Sequence, residues 1–168
     1  YLIDLKPLAL ARVVNRATAI IADVQPTEVD IVVMVDRVPQ LIRTLSLPGE
    51  TQSWPEKLSL VKEELDRTIK FYNSSHSASP LDASIPIFVS GELTQQSAAC
   101  ESLASDLGHL VSPLSPPLQC PDGLPVYRYM VNIGLALKVV SLTRAEVNLS
   151  VVNLNALPQV YRPKARSL

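Results

Sequence analysis

The sequence predicts an α/β domain in which three antiparallel strands come first and helices and strands alternate thereafter. Residues 19–47 read AIIADV, a QPTE break, VDIVVMV, an Asp36-Arg37 break and VPQLIRTLSL. These apolar runs are rich in Ile and Val, too short for independent helices and bounded by turn residues, the pattern of strands joined by hairpins. Downstream, Leu58, Val61, Leu65, Ile69 and Tyr72 recur every three or four residues, the stripe of an amphipathic helix laid on a sheet. Length agrees, because 168 residues suit one domain and a chain of that size buries about two-thirds of its unfolded surface.

In chain order, Pro7 belongs to the first turn of a helix expected over 8–16, where its missing N–H costs nothing. Leu10, Val13 and Val14 form the apolar side of that helix. After the three strands, 47–53 is a Pro/Gly/Ser loop. The long helix then begins near Trp54-Pro55, with Pro at N1 and Glu56 at the positive end of the dipole. Lys62, Glu63, Glu64, Asp66, Arg67 and Lys70 fall on its other faces and read as solvated charge. A polar loop over 73–84 leads to a strand over 85–89 that exits through Ser90-Gly91. Thr94 is placed to cap a helix running through about Leu107, and Gly108 to stop it. Residues 109–111 read as a short final strand and 112–125 as a proline-rich loop. The last helix, 125–140, carries Met130, Ile133, Leu137 and Val140 on one face, while Gly134 and Ala136 allow close backbone approach. From Thr143 the charge pattern becomes sparse and then basic. Part of VNLSVV, 147–152, reads as a strand, and NLNALP, 153–158, as a linear recognition element or linker. An ordinary C-terminal strand with a frayed end fits that tail equally well.

Composition narrows the function classes. A net charge of −1 and the lack of a basic stripe leave nothing to displace counterions from phosphates, so nucleic acid is not an expected partner. Cys100 and Cys120 are in no CxxC pairing, and neither a zinc site nor a disulfide framework is indicated, in keeping with a reduced, cytosolic setting. No apolar run reaches the ~18 residues a membrane span needs, so membrane contact is expected only through a partner or a segment beyond Leu168. The chain opens at Tyr1 with a strand-like Leu-Ile-Asp, which reads as continuation from a missing N-terminal lobe.

Catalytic constellations are scarce. GxSxG, HExxH, a Walker-type loop and GxGxxG are missing, and His76 and His109 are isolated in sequence. No catalytic and no metal-ligating residue is assigned. Asp23, Asp30 and Asp36 invite comparison with two-metal nucleases, which need converging carboxylates. However, Asp36 serves a hairpin turn, Asp30 stands at a strand entrance, and Asp23 alone ends a strand. Trp54, Phe71 and Tyr72 mark either a partner surface or ordinary packing.

The element order is that of the ribonuclease H-like fold, from which actin-like ATPases build each of their two lobes. Six segments, DLKPLALAR at 4–12, IADV at 21–24, the hairpin over 32–47, EELDRTIKFY at 63–72, IFVSG at 87–91 and NIGLALK at 132–138, together resemble the second lobe of the PilM-like proteins. These are actin-like proteins of type IV pilus assembly, related to the cell-division ATPase FtsA and to the cytoplasmic part of the secretion protein GspL. The resemblance covers residues from about 4 to 140. It implies a connecting segment over 1–17, an actin-type lobe over 18–141 and a separate tail over 142–168.

In that family the turn after the first strand approaches the nucleotide phosphates, and a Gly-Gly pair after the later strand accommodates the adenosine. The matching residues here are Asp23, Val24, Gln25, Pro26 and Thr27, with Gln25 in place of glycine and Pro26 lacking a donor. At the second position stand Ser90, Gly91 and Glu92, with Ser90 in place of one glycine and Glu92 adding charge. The resemblance therefore implies a degenerate nucleotide site: no cofactor bound by this fragment, and a scaffold role at the inner face of a bacterial cytoplasmic membrane, in a pilus or type II secretion platform. The alternative it leaves open is an actin-like ATPase whose full-length parent closes both lobes on Mg-ATP, with Asp23, Thr27 and Gly91 supplied from this lobe. The tail is similar to the Asn-Leu-Leu-Pro signature of PilN, the membrane partner of PilM-type proteins. On that likeness Asn153, Leu154, Asn155, Leu157 and Pro158 form a docking segment, and Arg162, Lys164 and Arg166 the basic flank of a membrane helix.

Overall fold

The computed structural model describes residues 5–49, 52–96 and 98–138. Its centre is a five-stranded mixed sheet in the order β3-β2-β1-β4-β5, with β1 at Ala19–Val24, β2 at Glu28–Val35, β3 at Val38–Ser46, β4 at Ile87–Gly91 and β5 at Val111–Pro113. β1 to β3 form antiparallel hairpins, whereas β4 lies parallel to β1 and β5 parallel to β4. This is the ribonuclease H-like lobe that the element order predicted. β1 is buried at all six positions, as a central strand covered on both faces must be. β3, at the edge, alternates between exposed and half-buried.

Among the described residues four α-helices cover the sheet: α1 at Lys6–Val13, α2 at Trp54–Ser75, α3 at Ala99–Leu107 and α4 at Val126–Leu137. One core joins Ile20, Ala22, Val24, Ile31 and Val89 of the sheet to Val61, Leu65 and Ile69 of α2 and Leu103 of α3. The other joins Ile21, Val32 and Met34 to Leu10 and Val13 of α1 and Met130 and Leu137 of α4. Adjacent residues of a strand thus feed opposite cores, the consequence of the two-residue side-chain period. α1 and α4 touch backbone to backbone: a Cβ placed on Gly134 would lie 2.0 Å from the carbonyl oxygen of Ala9. Gly134 makes the close approach expected of it; Ala136 is exposed and does not.

The Asp36-Arg37 turn has positive φ at both residues, 50° and 66°, the two-residue geometry whose twist matches a hairpin. Several boundaries differ from the expected ones. α1 stops at Val13 rather than residue 16, because Val14 is already extended and leads to β1. α2 continues through 73–75, the start of the expected loop. It is held there by His76, which stacks on Tyr72 at a centroid distance of 4.1 Å, and by Asn73, whose amide bonds the backbone of Leu81 in both directions. β4 begins at Ile87 and β5 at Val111, each two residues late. Thr94 caps no α-helix; it belongs to a 3₁₀ turn, Glu92–Gln95, and its hydroxyl donates to the Gly91 carbonyl at 2.8 Å. Gly108 ends α3 in the left-handed conformation as expected.

Glu64 is the one charged residue misplaced on the solvated face of α2. It is buried, with Arg43 of β3 at 2.8 Å and Arg67 at 3.1 Å. Of the three aromatic candidates, Tyr72 is core, Trp54 is half-buried and only Phe71 is exposed, at 54%. Among the described residues no helix is long and apolar enough to cross a membrane. The expected docking residues Asn153, Leu154, Asn155, Leu157 and Pro158 lie outside the described residues.

Candidate functional site

The parallel strands β1 and β4 end together, with Asp23 beside Ser90 and Val24 beside Gly91. The hairpin register simultaneously sets Asp23 directly opposite Asp30 on β2. Both carboxylates are buried, and like charges held side by side away from water demand a counter-ion. Lys6, the first residue of α1, supplies it. Its ammonium lies 2.9 Å from Asp23 Oδ2, 2.9 Å from Glu28 Oε1 and 2.7 Å from Asp30 Oδ2. Burial works against the charged ammonium. Hydrogen bonds to Asp30 and Glu28, and the charge and hydrogen bond of Asp23, outweigh it and hold the Lys6 pKa well above the usual lysine range. The Gln25 amide closes the corner by donating to both oxygens of Asp23 at 3.2 Å, and the Thr44 hydroxyl donates to Asp30.

The turn between β1 and β2 is equally committed to internal bonds. Gln25 N–H donates to the Glu28 carbonyl at 2.9 Å, and the Thr27 carbonyl accepts from Leu47 N–H at 2.7 Å. Buried Lys57 donates to the Pro26 carbonyl at 2.7 Å, with its ammonium 5.4 Å from the centre of the Trp54 ring. A phosphate cradle needs successive N–H groups turned outward. Here Gln25 has spent its N–H and Pro26 has none, while Thr27 stands exposed at the turn. With an ammonium at the centre of the carboxylates and an amide across Asp23, these residues do not fit a metal-bound phosphate.

The second segment lies against the first. Gly91 has φ of 82°, and a Cβ there would meet the Val24 carbonyl oxygen at 2.3 Å and Gln25 Nε2 at 2.8 Å, so the position requires glycine. Ser90 is buried, and its hydroxyl has no hydrogen-bond partner among the described residues. It lines a cavity of about 710 Å³ between the carboxyl end of β4, the loop after β5 and the first turn of α4, walled by Thr94, Ser115, Leu124, Tyr127 and Met130 among others. Clefts at the carboxyl ends of parallel strands are the usual ligand position in α/β folds. Glu92 is not a loose charge beside that cavity: Arg128 of α4 holds it at 3.1 Å.

Asp23, Gln25, Ser90 and Gly91 are therefore brought together, whereas Thr27 and Glu92 stand to either side. Lys6 and Glu28 were missed by sequence reasoning, whereas Asp30 was weighed beside Asp23 and set aside as a strand-entrance residue. The Asp23–Asp30 pairing was available from the hairpin itself, since a turn over 25–28 sets 23 opposite 30. Nothing in the local sequence signals that Lys6 reaches them.

No protein-family model matches the sequence, and no curated protein matches it significantly. Solved structures do. The PilM–PilN type IV pilus biogenesis complex aligns with a TM-score of 0.61 and 17% identity over 81% of this chain and 52% of that one. The ethanolamine utilization protein EutJ from Carboxydothermus hydrogenoformans aligns at 0.51 and 16%, over 79% and 53%. The chain spans about half the length of these two structures. At these identities the likeness is one of fold, and the fold is that of an actin-like ATPase lobe.

Proposed function

We propose that this actin-like lobe is part of a PilM-type scaffold at the cytoplasmic face of a bacterial inner membrane, in a pilus or type II secretion platform, working without bound nucleotide. The observation that carries the reading is the self-satisfied corner at Asp23, where Lys6 and Gln25 engage the carboxylate that the family resemblance would turn toward a nucleotide. A lobe that supplies its own counter-ion holds Asp23 of β1 and Asp30 of β2 together without a ligand, which suits a constant binding platform better than a switch. The partner class is a PilN-like inner-membrane protein or segment, by analogy with the complex that the fold resembles. Residues 153–158 are its counterpart in this chain. Tethering raises the local concentration of such a segment to about the millimolar range for a short linker, so weak intrinsic affinity suffices.

Calorimetric titration of Mg-ATP into the two-lobed parent, with this chain as control, tests the first half of the reading; saturable heat from the parent defeats it. Binding of a peptide covering 148–164 to the parent's actin-like body tests the second, and no association defeats the docking role. One observation favours the alternative of an ATP-binding parent: Ser90, whose buried hydroxyl has no partner among the described residues, is among the residues lining a cavity of about 710 Å³.

A further inference from the structure

We infer that Lys6 is a built-in replacement for a divalent cation, and that its contact with Asp23, Glu28 and Asp30 bars metal ions from a carboxylate set otherwise able to bind them. The inference deepens the nucleotide-free reading above and rests on it. The geometry supplies the argument. Three carboxylate oxygens from two strands converge within 2.9 Å of one point, and two of the three residues are buried. Hard divalent cations such as calcium hold carboxylate oxygens at about 2.3–2.6 Å, so an inward shift of a few tenths of an ångström converts ammonium spacing to metal spacing.

The flexible stem of Lys6, half-exposed at the start of α1, delivers a single charge with three donors, and the three donors meet three carboxylates. With the ammonium in place, no group of three His, Cys, Asp or Glu among the described residues is open to a metal. The latch also has a mechanical consequence. Lys6 lies on the first turn of α1, so the three carboxylates keep their shared cation only while α1 stays docked on the sheet.

The test uses the whole 168-residue chain without nucleotide and compares wild type, Lys6→Met and Lys6→Arg by thermal melting in chelator and in calcium, with calcium affinity measured by calorimetry. Wild type and Lys6→Arg are expected to melt at the same temperature with and without calcium. Lys6→Met is expected to be destabilised in chelator, restored by calcium, and saturated with a dissociation constant of about 10⁻⁴–10⁻³ M, the range of loosely held calcium sites. Calcium binding by wild type equal to that of Lys6→Met overturns the inference. So does a Lys6→Met protein that folds but ignores calcium, or one that calcium cannot fold while Lys6→Arg folds normally. Binding of ATP by the parent would defeat the scaffold reading yet leave these three results standing.

Discussion

Replacing Gly91 by Ala tests the closeness of the two strand ends most directly. Gly91 has φ 82° and ψ −164°, a region that residues with a side chain enter at a cost of about 1–3 kcal/mol. The added Cβ would also sit 2.3 Å from the Val24 carbonyl oxygen and 2.8 Å from Gln25 Nε2, and overpacking of that kind adds about 1–3 kcal/mol. Relief is limited because Val24 belongs to the central strand and is paired on both sides. The expected loss is therefore about 2–6 kcal/mol, and at ~4 °C per kcal/mol for a domain of this size the melting temperature falls by roughly 8–24 °C. Gly108→Ala is the control. Its φ of 69° is also positive, but a Cβ there meets nothing within 4 Å, leaving only the left-handed penalty of about 1–2 kcal/mol. Thermal unfolding followed by far-UV circular dichroism measures both. Equal losses in the two variants would refute the claim that contact with the β1–β2 turn, beyond conformation, requires glycine at 91.

The remaining predictions concern the scaffold around that corner. Gly134→Ala gains about 1 kcal/mol of helix propensity but drives a Cβ to 2.0 Å from the Ala9 oxygen. Urea unfolding should show a net loss of at least ~1 kcal/mol, against a change within about 0.5 kcal/mol for Gly49→Ala, which meets nothing within 4 Å. Arg43→Ala leaves buried Glu64 with Arg67 alone and should cost about 1.5–3 kcal/mol by the same measurement. Glu56 accepts the Ser53 N–H and hydroxyl at the start of α2, each at 2.9 Å, and these bonds lower its pKa. Its stabilising contribution is thus complete above the ordinary glutamate pKa and lost as pH falls through the depressed folded value. The melting-temperature gap between wild type and Glu56→Gln should shrink across that window, and Ser53→Ala should move the Glu56 titration upward by NMR.

The sheet was legible in the sequence because its signals are local. Apolar runs, an Asp36-Arg37 turn and a QPTE break fix three strands and their pairing without reference to the rest of the chain. α2 was legible for the same reason, but its end was not, since Asn73 and Ser75 are poor helix formers held in the helix by tertiary bonds from Leu81 and stacking of His76. Thr94 misled because Ser/Thr before an apolar run also suits a turn. Its hydroxyl met the Gly91 carbonyl, and the helix began five residues later at Ala99. Glu64 shows the limit of reading charge as solvation, because its burial depends on Arg43 of another element. The site was half legible: Asp23, Gln25, Ser90 and Gly91 were singled out and do meet, while Lys6 is 17 positions from Asp23 and joins it only through the docking of α1.

Corner and cavity lie on the same face of the sheet, since Asp23 and Ser90 are register partners on parallel strands, yet they are chemically opposite. The corner has an excess of charge, all of it engaged. The cavity wall holds serine, threonine and glutamine residues, prolines, Leu124, Tyr127 and Met130, and among the described residues no Lys, Arg, Asp or Glu. A triphosphate is held by cations and outward N–H groups, and the described residues of these two regions offer few: Gln25 N–H is used within the turn and Pro26 has none, and Arg128 is committed to Glu92. The cavity instead suits a mostly neutral group. In the described residues, corner and cavity together match the uncharged part of a ligand better than its phosphates.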